Sequence, residues 1–64
     1  MTVFARAYRL MLRNEGVERD ILERDILEGL LAEKARHGWT QAECEDAARW
    51  AAHRWGMNAR RTSV

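Results

Sequence analysis

Between Glu18 and Arg36 the apolar residues fall into two sets at helical spacing, and this pattern limits the possible folds most. Leu22, Ile26 and Leu30 follow i, i+4, i+8 and share one face. Val17, Ile21, Leu31 and Ala35, with Leu27 at the margin, fall on nearly the opposite face. The segment is rich in Glu, Arg, Leu and Ala, all good helix formers, and the chain has no Pro. A surface helix carries one apolar stripe. Two stripes predict a helix over residues 17–37 that is covered from two sides. The charges lie between the stripes. Glu15–Arg19, Arg19–Glu23, Asp20–Arg24 and Arg24–Glu28 are i, i+4 pairs, each worth about 0.2–0.5 kcal/mol. They read as a solvated face. A back-to-back pentapeptide, Glu18–Leu22 and Glu23–Leu27, does not match the helical period, so its copies point in different directions.

A helix on each side completes the pattern. Thr2 is placed to cap a first helix over residues 3–13. Phe4, Ala7, Tyr8 and Met11 form its expected apolar centre, widened by Val3, Leu10 and Leu12. Arg6, Arg9 and Arg13 share its remaining narrow face. Asn14-Glu15-Gly16 reads as a tight turn, which sets the first two helices antiparallel. Gly38 reads as the residue that ends the central helix, with Lys34, Arg36 and His37 in its last turn. Thr40 and Glu43 match a capping box, and Trp39 and Cys44 occupy the staple positions around it. The third helix is expected over residues 41–55. Cys44, Ala48, Ala51 and Trp55 form its stripe, flanked by Ala47 and Ala52. Gly56 would end it, with Met57 as the accompanying hydrophobic contact. Trp50 falls off the stripe and His53 nearly opposite it. The expected fold is all-α: a small three-helix bundle with a long central helix, two shorter ones and a basic C-terminal tail. Residues 1–57 form one domain and 58–64 a flexible basic tail.

A chain of 64 residues buries only roughly 60% of its unfolded surface. With one Cys it has no internal disulfide, and a core this thin is often completed by a partner or a second copy. Three Trp can supply core or interface anchors. The net charge is +1, yet every acid lies between Glu15 and Asp46. Arg6, Arg9 and Arg13 at one end, and Arg49, Arg54, Arg60 and Arg61 at the other, stand in acid-free stretches. No stretch approaches the ~20 apolar residues of a membrane span. A lone Cys without a secretory start suits a reducing setting, so the expected location is cytoplasmic, with no membrane contact.

Catalytic chemistry finds little support. Cys44, at a helix start, could carry a lowered pKa, but its place on the Ala stripe reads as a small buried hydrophobe. His37 and His53 make no metal-ligand spacing with Cys44. No phosphate-binding loop and no Ser-His-Asp arrangement occurs. The expectation is a non-enzyme without cofactor or metal.

Arg36 to Glu43 is similar to the opening turn of the second helix in many bacterial helix-turn-helix repressors. Ala52 to Met57 resembles the Ala, three residues, Gly, apolar core of the same motif. The first register needs a turn by about Ala48, and the second a full recognition helix after Gly56. Two function classes follow. The first is a non-catalytic interaction module (adaptor, inhibitor or regulatory subunit) that binds a larger protein through Trp50, His53, Arg49 and Arg54. The alternative is a nucleic-acid-binding transcriptional regulator that uses Arg6, Arg9, Arg13, Arg60 and Arg61; near-neutral net charge weighs against it. The face count also predicts a homodimer built mainly on the central helix and Trp50, with the outer edge of the first helix at Val3 and Leu10 also left over for a second copy.

Overall fold

A computed structural model describes residues 2–13 and 18–62, with side chains described as far as Trp55. It contains three helices: α1 (Val3–Arg13), α2 (Arg19–His37) and α3 (Gln41–Thr62). Each packs against the other two, so the chain forms the expected all-α three-helix bundle. The expected turn at Asn14-Glu15-Gly16 lies outside the described residues.

The helix ends follow local chemistry. Thr2 Oγ1 accepts the Ala5 N–H at 3.1 Å and caps α1. Gly38 ends α2 at φ 72°, in the left-handed region. The Trp39 N–H then turns back to the Lys34 carbonyl at 3.0 Å. The capping box at α3 is closed both ways. The Glu43 N–H donates to Thr40 Oγ1 at 3.1 Å, and the Thr40 N–H donates to Glu43 Oε1 at 3.0 Å. Thr40→Ala is expected to lower stability by about 1 kcal/mol. An unchanged urea midpoint would show that the box does not hold the start of α3.

The end of α3 differs from expectation. The helix does not stop at Trp55 but continues through Gly56 to Thr62. It is therefore the longest helix, at 22 residues against 19 for α2. A mid-helix Gly costs about 1 kcal/mol relative to Ala, and no Pro follows to terminate the ladder. The helix passes both Ala48 and Gly56 without a turn, so neither helix-turn-helix register is formed.

Val3, Ala7 and Met11 of α1, Leu22, Ile26 and Leu30 of α2, and Cys44, Ala47, Ala48 and Ala51 of α3 form the core. The two-sided covering of α2 does not occur. Both neighbouring helices meet the Leu22–Ile26–Leu30 face and pack on each other. Leu27 and Leu31 are half-buried shoulders, Ile21 is 49% exposed and Ala35 is exposed. Three helices around one axis give each helix a single inward face. Val17 lies outside the described residues. Val3, expected on the outer edge of α1, is buried, and Leu10 is half-buried. Gly29 makes room for Leu10, because a Cβ there would stand 2.9 Å from Leu10 Cδ1.

Glu33 continues the inward stripe of α2, three residues beyond Leu30. A carboxylate at that edge needs a cation, and Arg6 of α1 supplies one. Arg6 Nη2 donates to Glu33 Oε2 at 2.8 Å, and Arg6 Nε donates to the same oxygen at 3.0 Å. His37 Nε2 lies 3.5 Å from Glu33 Oε1. Among the described residues the other ion pair within 4 Å is Arg49–Asp46, at 3.6 Å. Among the described residues the pairs foreseen on α2 at Arg19–Glu23, Asp20–Arg24 and Arg24–Glu28 are not closed, in keeping with the small gain each offers against side-chain entropy; Glu15 lies outside the described residues.

The hydrogen bonds from Arg6 hold the Glu33 carboxyl below its ordinary value, against the opposing pull of partial burial. A lowered folded-state pKa stabilises the fold above the unfolded value near 4.5, and that contribution is lost as the pH falls through the folded value. Arg6→Ala is therefore expected to cost about 1 kcal/mol near neutrality. The gap to wild type should close in acid. A gap independent of pH would remove Glu33 as the group that senses Arg6.

Cys44 is fully buried. Burial pushes its thiol pKa up, helped by Glu43 and Glu45 and opposed by Lys34. It should react slowly with a thiol reagent in the native state and quickly in denaturant. Equal rates would place it at the surface.

Candidate interaction surface

Helix α1 carries two parallel sets at i, i+4, i+8. Val3, Ala7 and Met11 face the core, while Phe4, Tyr8 and Leu12 lie one residue further round. The expected apolar centre was a blend of the two. The alanine wall of α3 explains the choice. Ala47, Ala48 and Ala51 are fully buried or nearly so, and small side chains let helices approach closely. Val3, Ala7 and Met11 fit against such a wall. The larger rings of Phe4 and Tyr8 are displaced to the seam between α1 and α3.

Trp50 of α3 meets them there. The Phe4 and Trp50 rings stand edge to face, with centroids 5.4 Å apart and planes at 87°. Tyr8 lies 6.4 Å from the same ring, tilted by 50°. Arg54, one helical turn on, places its guanidinium carbon 5.3 Å from the Trp50 centroid. These contacts leave the Phe4 and Trp50 rings partly open, while Tyr8 is half-buried against the core. Phe4 is 42% exposed, Trp50 37% and Leu12 50%. Trp50 is thus neither a core residue nor an isolated side chain; it is the centre of an open aromatic seam.

The structure unites part of the foreseen set. Trp50 and Arg54 stack together. Arg49 is exposed and loosely paired with Asp46, and His53 is exposed three residues after Trp50. The basic ridge of α1 is divided: Arg6 binds Glu33, whereas Arg9 and Arg13 are exposed. The side chains of Arg60, Arg61 and Met57 lie outside the described residues. Phe4, Tyr8 and Leu12 are the members that sequence reasoning missed. Their own i, i+4, i+8 spacing was the available signal. His37 and Trp39 form a separate stacked pair at the far end of α2, 4.4 Å apart.

Among the described residues no group of three or more His, Cys, Asp or Glu side chains is arranged to hold a metal ion. No described helix is long and apolar enough to cross a membrane. The chain matches no family model, no curated protein and no solved structure.

Proposed function

We propose that this protein is a small, non-catalytic helical interaction module that acts by binding a larger protein, as an adaptor, inhibitor or regulatory subunit. The observation that carries the reading is the seam of Phe4, Tyr8, Leu12, Trp50 and Arg54. Trp, Tyr and Arg dominate interface energetics. Here they are grouped and held by mutual contacts, with Trp50 and Arg54 open to solvent and Tyr8 half-buried against the core. The nucleic-acid reading draws less support, because Arg6 is engaged by Glu33.

Affinity capture on the tagged chain, with and without nuclease and at low and high salt, tests the proposal. A protein retained in stoichiometric amount after nuclease treatment supports it. Retention of nucleic acid that disappears as salt rises would move the assignment to a nucleic-acid-binding regulator.

A further inference from the structure

Resting on that reading, we infer that the partner presents an acidic amphipathic helix, which lies along the α1/α3 seam with apolar side chains on Phe4, Tyr8, Leu12 and Trp50 and carboxylates toward Arg54 and Arg9. Charge carries the inference. No Asp or Glu precedes Glu15 or follows Asp46. The seam is built from α1 and the Trp50–Arg54 turn of α3, so its walls are acid-free. Asp46, one turn before Trp50, is turned to Arg49. Arg9 and Arg54 are exposed, and no described carboxylate pairs with either. A surface whose apolar residues Phe4, Tyr8 and Leu12 stand at i, i+4, i+8 suits the apolar face of a helix.

Two other occupants fit less well. In a two-fold dimer through the seam, each arginine-bearing, acid-free wall would meet its own copy. Five of the ten acids of the chain lie on α2, whose inward stripe faces α1 and α3, so its outer face points away from the seam. A copy docking by that face would add subunits head to tail without closing. Single-stranded nucleic acid needs aromatic faces on which bases stack. The Trp50 ring is instead occupied by Phe4 at right angles and by Arg54.

The test is site-specific photocrosslinking of the full chain in its own cells, with benzoylphenylalanine at position 12 in the seam or at position 21 on α2. Both sites are exposed, and a thermal melt of each variant confirms folding. Position 12 is expected to crosslink to one protein, at a segment of net negative charge with helical apolar spacing. Adding Arg54→Glu should cut that yield about tenfold with the melt unchanged. A neutral or basic crosslinked segment, a second copy of this chain, or nucleic acid at position 12 would overturn the inference. A protein crosslinked only from position 21 would overturn it while leaving the interaction module in place. No protein crosslinked from either position would remove both.

Discussion

Ile26→Ala should remove most of the cooperative thermal transition. Ile26 is fully buried between Leu22 and Leu30 at the centre of the inward face of α2. Truncating a buried Ile costs about 2–5 kcal/mol in lost burial and cavity formation. A domain of this size rarely has more than about 3–5 kcal/mol in hand. The better helix propensity of Ala returns only about 0.4 kcal/mol. Ile21→Ala is the matched control. It makes the same chemical change on the same helix, at a side chain 49% exposed, and should shift stability by less than about 1 kcal/mol. Circular dichroism melts of the two variants give the comparison. Equal losses would mean that α2 is covered on both faces after all.

Ala51→Leu should destabilise although it adds apolar surface. Ala51 is fully buried, as are Ala47 and Cys44, and Ala48 nearly so. Three extra carbons at this wall must push α3 away from its neighbours or force rotamers off their wells, at a cost of about 1–3 kcal/mol. Urea unfolding measures it. A gain in stability would show that the alanine wall encloses unfilled space.

The sequence reading succeeded where the decisive forces are local. The limits of α1, the cap at Thr2, the left-handed stop at Gly38 and the box at Thr40 and Glu43 each involve residues within one turn, and each is formed. It failed where the choice depends on a distant surface. Leu22–Ile26–Leu30 and the Ile21–Leu31–Ala35 set are equally periodic; only the arrangement of α1 and α3 around one axis selects the first. The same holds for Val3–Ala7–Met11 against Phe4–Tyr8–Leu12. The Arg6–Glu33 pair spans 27 positions, but it left a trace: a carboxylate in register with the core stripe of α2. Gly56 misled because it is a stop signal only where the following residues cannot continue the helix. Trp50 was recognised as out of place, but its ring partners lie on another helix and no local rule names them.

The claim that the seam serves binding and not folding is tested most directly by the Leu12→Ser, Arg54→Glu double variant. Both residues are exposed, so its melting temperature should stay within about 4 °C of wild type. In affinity capture after nuclease treatment, quantified against the tagged wild-type chain, it should retain less than about a tenth as much partner protein. Undiminished retention by a variant that melts like wild type would contradict the account.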